Sequence, residues 1–446
     1  MGLASALWLL FAAIVALGAL RPRWHMGFLA IAAVFLVAAA LPVGGAAAGA
    51  PMRFFPTALF LKLVGVTLFF GALERNGTLE RVLARVLHAI RGRAVLLPLV
   101  FFLVAAGLVA SGVGNIAAVA MLAPLALRAA AVVGIPAVAM SVLVVGAANA
   151  AALSPLSIAG VIVGDALAAR ADGLGITVDS GARWAFFGRT FLAQAVVCVA
   201  GFVALGGLRT LRRGRGAIAV LGGDAAVPPP DPPVFDAPHA RSSIAFVAFV
   251  ACTALFGSTF AAERLPAAVC AVFGDPGALG FLGFAALMLH GDASVEDVAR
   301  YAPWSAMFLV CGMMTFLEFV ASLGALEALT ERLLAVASAR TLPFGLAFAA
   351  ALLSVVASST GVVLPLMLPM LPELHEHVPG VPVWAMLTSI GVGAHLVDAS
   401  PLSTLGALCV SNAGDPAEQE KLFRALLLWG FAMVPLAALL CAALAL

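Results

Sequence analysis

Apolar runs of about twenty residues recur along the whole of this chain, and a helix of that length crosses the hydrocarbon core of a bilayer. Membrane spans are predicted at 3–20, 26–49, 57–73, 137–168, 185–208, 242–260, 265–289, 304–321, 381–411 and 423–446. The composition agrees, because 63% of the 446 residues are hydrophobic and only 10% are charged, whereas soluble proteins are about a quarter charged. The sequence therefore predicts an all-α polytopic membrane protein and excludes a soluble globular one.

Two further apolar segments, 94–127 and 343–372, are interrupted near their middle by small and hydroxyl residues. The interruptions read Ser111-Gly112-Val113-Gly114-Asn115 and Ser358-Ser359-Thr360-Gly361. We interpret both segments as re-entrant hairpins. Irregular backbone at membrane depth is tolerated only where it is buried in protein or lines a wet cavity, so the two hairpin tips are candidate binding sites.

A Pro-rich segment, which includes AVPPPDPPVFDAPHA, divides the chain into two halves. This predicts a first repeat over 1–208, a linker over 209–241 and a second repeat over 242–446. When the loop containing Arg21 and Arg23 is placed in the cytoplasm, basic residues concentrate on that side, as the positive-inside rule requires. The expected location is the cell (inner) membrane, with multiple passes and a cytoplasmic linker. Nucleic acid is not expected as a partner, because 24 Lys+Arg face 22 Asp+Glu.

The two halves are related by an internal duplication. Residues 56–80 align with 303–327, and residues 134–160 align with 380–406. The second alignment matches the block Ser154-Pro155-Leu156-Ser157 with Ser400-Pro401-Leu402-Ser403. Each half contains five predicted spans and one hairpin, and an odd number of spans inverts the second copy relative to the first. Inverted repeats with broken helices at the midplane are the architecture of secondary transporters.

The polar breaks supply the candidate ligands. Glycines permit tight turns, and prolines such as Pro155 and Pro401 free backbone carbonyls, while hydroxyls and amides add the oxygen ligands that suit Na⁺. Predicted cation-binding residues are Ser111, Gly114, Asn149, Ser154, Ser358, Thr360, Gly361, Asp398 and Ser400. A helix that begins after a break also directs backbone N–H groups at an anion. Predicted substrate-binding residues are Ser111, Gly112, Asn115, Ser157, Ser358, Ser359, Thr360 and Ser403.

Two ionisable residues break the symmetry of the repeat, since His395 and Asp398 align with Asn149 and Ala152. Ionisable groups inside a membrane are costly and usually functional. Asp398 is therefore a candidate cation ligand, and His395 is a candidate proton carrier. The alternative is that the two side chains pair with each other across one helical face. An intramembrane hydrolase using Ser400 or Ser403 with His395 and Asp398 is a more distant alternative, and we expect no catalytic residues and no enzyme activity.

The residues of the first half resemble a known family. The stretch PTALFLKLVGVTLFFGALERNGTLE, the segment around LVASGVGNIAAVAMLAPLAL and the later GAANAAALSPLSIAGVIV are similar to the N-terminal domain of MatC-type dicarboxylate (malonate) carriers. That group resembles the divalent anion:sodium symporter and ion transporter superfamily. The resemblance implies a scaffold with a moving transport domain, a homodimer, cation sites formed by each hairpin tip with its broken helix, and substrate carboxylates between the tips.

The hairpin tips depart from the symporter pattern, in which each tip carries Ser-Asn-Thr. Only Ser111, Ser358 and Thr360 carry over directly, and Asn115 is the candidate replacement for the missing amide. The expected function is symport of a small organic anion, a dicarboxylate such as malonate, with Na⁺ or H⁺. A permease of the same superfamily for a monocarboxylate, sulfate or another oxyanion is the alternative. No cofactor or resident metal is expected beyond a coupling Na⁺.

Overall fold

The computed structural model describes residues 2–20, 24–40, 53–79, 81, 85, 96–208, 236–256, 261, 264–299, 304–325, 338–356 and 358–445. Within these ranges the regular secondary structure is helical and contains no strand. The all-α prediction is confirmed. Residues 209–235 of the predicted linker lie outside the described residues, and so does the end of the span predicted at 26–49.

The first half contains nine helices among its described residues. They are α1 (Leu3–Leu20), α2 (Met26–Ala40), α3 (Thr57–Arg75), α4 (Leu97–Ala110), α5 (Asn115–Val133), α6 (Ala137–Ala151), α7 (Ile158–Ala168), α8 (Ala171–Leu174) and α9 (Ser180–Ala204). The predicted hairpin at 94–127 corresponds to α4 and α5. The predicted span at 137–168 is broken into α6 and α7, at the position where Pro155 and its flanking serines interrupt the apolar run.

The second half begins with α10 (Ala237–Phe256), which starts before the predicted boundary at 242. The helices that follow are α11 (Ala267–Phe273), α12 (Pro276–Leu289), α13 (Val295–Ala299), α14 (Trp304–Ala321), α15 (Leu342–Val356), α16 (Leu364–Met367), α17 (Leu371–His377), α18 (Val383–Leu396), α19 (Thr404–Ser411) and α20 (Pro416–Ala445). A π-helical turn over Ser359–Val363 precedes α16, and a 3-10 turn over Leu368–Met370 follows it.

One predicted span has a different form in the structure. The segment 265–289 was expected to be a single helix, but α11 and α12 meet at an angle of 67°. The Asp275 carboxylate accepts a hydrogen bond from the Ala278 amide at 2.8 Å, and Pro276 occupies the first turn of α12. A capping Asp followed by Pro starts a new helix, and this local signal explains the bend.

By length and composition, α3, α9 and α20 could each cross a membrane, and the bent pair α11 and α12 would add a fourth span. Apolar helices of 10–17 residues, which include both halves of α4/α5 and of α6/α7, make up much of the remaining described chain. Leucine side chains on the long helices α9 and α20 are exposed, for example Leu192 with 64% of its surface accessible and Leu428 with 73%, and such a surface suits contact with lipid. The protein is an α-helical membrane protein.

Two sets of helices pack closely within the fold. In one set, glycines bring α3 against α12, because a Cβ on Gly65 would lie 2.2 Å from the Gly277 carbonyl oxygen. Gly27 and Gly312 make the same kind of approach between α2 and α14. Small residues at such crossings let helix backbones touch.

In the other set, α6 packs on α4 and α9, and α18 packs on α15 and α20. The polar breaks lie in this second set.

Candidate functional site: two hairpin tips and two broken helices

The first hairpin tip is a tight turn between α4 and α5. The Ser111 hydroxyl donates a hydrogen bond to the Leu108 carbonyl oxygen at 2.8 Å. Gly112 has φ +117°, and a Cβ there would lie 2.7 Å from the Phe70 ring. Only glycine satisfies both constraints without strain. Gly114 then caps α5, and Asn115 begins that helix with its side chain partly exposed.

The first broken helix lies directly against this tip. The Ser154 hydroxyl donates to the Ala110 carbonyl oxygen at 2.6 Å, which joins the loop between α6 and α7 to the end of α4. The Ser157 hydroxyl accepts a hydrogen bond from the Gly160 amide at 3.2 Å and so caps α7. Both hydroxyls therefore satisfy backbone groups that the break would leave unpaired at membrane depth.

The second hairpin tip is built differently. Ser358 is exposed, and its hydroxyl accepts a hydrogen bond from the Gly361 amide at 3.0 Å, which caps the π-helical turn. Thr360 is half-buried, and Gly361 is buried against Leu309, whose Cδ2 would lie 2.7 Å from an added Cβ. The Ser359 side chain instead points toward α18 and Asp398. Its hydroxyl lies 2.6 Å from Oδ2 of Asp398 and 3.0 Å from the Ala394 carbonyl oxygen.

Asp398 is the buried anionic group of this site, at 7% exposure. Its Oδ1 lies 3.3 Å from the Ser354 hydroxyl, and the Ser354 and Ser359 hydroxyls lie 2.8 Å apart. In the part of the chain that the structure describes, no Lys, Arg or His forms an ion pair with this carboxylate. A buried carboxylate without a counter-charge is costly, so the site favours occupancy by a cation or a proton.

The second broken helix repeats the capping of the first. The Ser403 hydroxyl accepts from the Gly406 amide at 3.4 Å to cap α19, and it also donates to the Asp398 carbonyl oxygen. Ser400 is buried, and its hydroxyl accepts from the Leu402 amide at 3.3 Å. The breaks in α6/α7 and α18/α19 therefore use equivalent serines in the same way.

A chain of amide contacts joins the first tip to both breaks. The Asn115 amide donates to Asn149 Oδ1 at 3.2 Å, and the Asn149 amide donates to the His395 carbonyl oxygen at 3.1 Å. These contacts bring the first tip, the end of α6 and the end of α18 to one place. The predicted residues of the two halves thus lie in one continuous region of the protein.

The side chains of His395 and Asp398, the two ionisable residues of the second break, do not pair with each other. The imidazole Nδ1 of His395 lies 2.8 Å from the Gly391 carbonyl oxygen, and its Nε2 is buried with no hydrogen-bond partner among the residues that the structure describes. The Asp398 carboxylate instead contacts Ser354 and Ser359. The His395 imidazole forms no hydrogen bond to Ser400 or Ser403 either, so these described residues of the second break lack the serine–base contact that a hydrolase uses.

Ser354 is a site residue that the sequence did not single out. It lies one turn before the second tip, on α15, and is 1% exposed. A lone serine in an apolar helix usually bonds its own backbone or supports close packing, so nothing in the sequence distinguished it. Its spacing from the Ser358-Ser359-Thr360 cluster is the signal that would have suggested a shared face.

Comparison with known families confirms the resemblance seen in the sequence. Residues 2–152 match the family model described as the N-terminus of the dicarboxylate carrier protein MatC. The match includes the first hairpin tip and all of α6 with Asn149, and it ends before Ser154. No curated protein matches the chain.

Proposed function

We propose that this protein is a secondary active transporter that carries a small organic anion, a dicarboxylate such as malonate, by symport with a cation. The match of residues 2–152 to the dicarboxylate carrier family carries this proposal. It also favours transport over hydrolysis, since the matched residues include one complete hairpin tip.

The coupling cation would bind beside the second tip. Asp398 supplies the negative charge there, and Ser354, Ser359 and backbone carbonyls freed by the break supply neutral oxygens. Such a set of hard oxygen ligands suits Na⁺, and the carboxylate alone suits H⁺. A bound cation would neutralise Asp398. The loaded protein would then change conformation in the membrane at a lower free-energy cost than the same protein with an uncompensated charge.

The substrate would bind near the tips, where hydroxyls and helix N-termini are accessible. Ser358 is exposed and Asn115 is partly exposed, while α5, α7 and α19 each begin in this region. Helix N-termini attract carboxylates through unpaired N–H groups and the helix dipole. No Arg or Lys is needed at a tip if the cation supplies positive charge.

Alternating access would use the inverted relation of the two halves. The equivalent caps Ser157–Gly160 and Ser403–Gly406 support a structural repeat. In our account the protein spans the inner membrane several times, works as a homodimer and uses no organic cofactor.

Substrate binding can be tested before transport. Thermal unfolding of the purified protein would be followed with malonate, succinate, sulfate and acetate, each with Na⁺ or with an inert organic cation at several pH values. We expect malonate to raise the unfolding temperature, and to do so more strongly when the coupling cation is present. A shift with sulfate or acetate alone would favour the alternative permease, and no shift with any anion would contradict the proposal.

A further inference from the structure

A small cavity lies where α6, α9, α20 and the end of α18 meet. Gln194 of α9, His395 of α18 and Trp429 of α20 are among its lining residues. Its volume is about 20 Å³, measured over the positions that the centre of a water molecule can take. One water molecule needs roughly 10–15 Å³ on this measure. The cavity is therefore large enough for a single water molecule and too small for an organic anion.

Polar atoms in this cavity lack partners. Both side-chain polar atoms of Gln194 and the Nε2 atom of His395 are buried with no hydrogen bond to any described residue, and each of the two residues is only 1% exposed. Buried amides and imidazoles are almost always hydrogen-bonded, because leaving them unpaired costs their full desolvation free energy. Three polar atoms without a described protein partner, on residues that line one cavity, point to a site for a small polar ligand.

The chemistry of these atoms identifies the ligand. A carbonyl oxygen only accepts, so Nδ1 of His395 donates to Gly391 and Nε2 is left as an acceptor. Gln194 offers one acceptor and one donor group. A water molecule can donate to His395 Nε2 and to Gln194 Oε1 while it accepts from Gln194 Nε2. None of the described residues that line the cavity carries a carboxylate, and an imidazole nitrogen is a poor ligand for Na⁺.

We propose that this cavity is a binding site for one water molecule, held by Gln194 and His395, and that the water fixes the broken end of α18. The position of His395 in turn affects the first tip, because the His395 carbonyl oxygen accepts a hydrogen bond from Asn149 and the Asn149 side chain accepts one from Asn115. Gln194 is then a positioning residue for the hairpin tip. It lies outside residues 2–152, so the family match does not include it.

A hydrated cavity can be distinguished from a dry one by whether removing the Gln194 polar atoms raises or lowers the unfolding temperature. Gln194→Met keeps the side-chain volume but removes both polar atoms. If the cavity is dry, the variant loses two unpaired polar atoms and its unfolding temperature rises. If water is bound, the variant leaves His395 Nε2 unpaired and the unfolding temperature falls. We expect a fall, and a rise or no change would overturn the proposal.

Ser243→Ala is the matched control, since the Ser243 hydroxyl is also buried without a partner but does not line this cavity. Its unfolding temperature should stay unchanged or rise. A second test is the double variant Gln194→Met/His395→Phe. Two residues that share one water molecule should show a combined fall smaller than the sum of the single falls, whereas additive falls would contradict a shared ligand.

A high-resolution map of the wild-type protein decides the identity of the ligand. We expect density in the cavity in both Na⁺ and Na⁺-free buffers, and its loss in Gln194→Met. An empty cavity in the wild type, or density that appears only with Na⁺, would overturn the assignment of water. None of these three experiments depends on transport, so the water site can fail or stand separately from the proposed function.

Discussion

The hydroxyl of Ser359 lies 2.6 Å from Oδ2 of Asp398, and this contact fixes the second hairpin tip to the second broken helix. The tip and the break therefore share one buried carboxylate. Because no basic side chain among the described residues pairs with Asp398, the contact also marks the place where a positive charge would be most strongly stabilised.

Removing the Asp398 charge should weaken binding of the coupling cation. Asp398→Asn keeps the shape of the side chain but removes its negative charge, and a hydrogen-bonded charge contributes about 1.5–3 kcal/mol, so cation affinity should fall about 10- to 100-fold. The measurement is the cation concentration that gives half-maximal uptake in proteoliposomes. Asp172→Asn is the control, since Asp172 is exposed. Wild-type cation dependence in Asp398→Asn would place the coupling site elsewhere.

The hydroxyls of Ser111 and Ser358 should contribute to substrate binding. Loss of one neutral hydrogen bond costs about 0.5–1.5 kcal/mol, so Ser111→Ala and Ser358→Ala should each raise the KM for the anion about two- to tenfold. Membrane insertion should remain normal, since neither change adds a polar group. Ser411→Ala removes a hydroxyl that bonds the Leu408 carbonyl outside the site and should leave the KM unchanged. Normal uptake in both tip variants would remove the tips from the binding site.

The first tip should require glycine at position 112. Ala at a φ of +117° is strained, and its Cβ would contact the Phe70 ring, so Gly112→Ala should lower the free energy of unfolding by about 1–3 kcal/mol. Thermal unfolding in nanodiscs measures the change. Gly107→Ala is the control, because Gly107 lies in α4 with no atom within 4 Å of an added Cβ. If Gly112→Ala and Gly107→Ala change the free energy of unfolding by the same amount, the turn geometry described for the tip is wrong.

An ion pair joins α3 to α7. The Lys62 ammonium lies 2.9 Å from Asp165 Oδ1 and 3.3 Å from Asp275 Oδ2. Lys62→Asp would place a third carboxylate beside these two and should lower the unfolding temperature by several degrees. The swap Lys62→Asp/Asp165→Lys restores one opposite charge and should recover part of that loss. A double variant that is no more stable than Lys62→Asp would show that this contact contributes nothing in the membrane.

A second ion pair should make stability depend on pH. Arg241 forms a bidentate contact with Asp292, with both N to O distances 2.6 Å. The hydrogen bonds from Arg241 hold the pKa of the Asp292 carboxyl below its ordinary value, although its burial acts in the opposite direction. The pair therefore stabilises the fold fully above the pKa of an unfolded Asp, about 3.9, and this contribution is lost as the pH falls through the lower pKa of the folded state.

The corresponding measurement compares the unfolding temperatures of the wild type and Asp292→Asn across this pH range. The variant should be less stable at neutral pH by a constant amount, and the difference should shrink below about pH 4. Asp172→Asn again serves as the exposed control. A difference that stays constant to the lowest pH would contradict the assigned ion pair.

The sequence predicted both broken helices, because Pro155 and Pro401 remove helix hydrogen bonds within polar interruptions of apolar segments. It did not predict where Asp398 would point. Residues three apart share a face only within one helix, and α18 ends at Leu396, so Asp398 leaves that face and contacts α15 instead. Likewise, the contact of Asn115 with Asn149 depends on how α5 packs against α6, and no local pattern in the sequence encodes that distance.

The most direct test of cation-coupled dicarboxylate transport is uptake by the purified protein in liposomes. Radiolabelled malonate would be supplied outside, with an inward Na⁺ gradient, with an inward H⁺ gradient or with neither, and succinate would be run in parallel. The account predicts concentrative malonate uptake that follows one of the two gradients and that, in Asp398→Asn, requires a higher concentration of the coupling cation. Uptake that is indifferent to both gradients, or no uptake of either dicarboxylate, would contradict it.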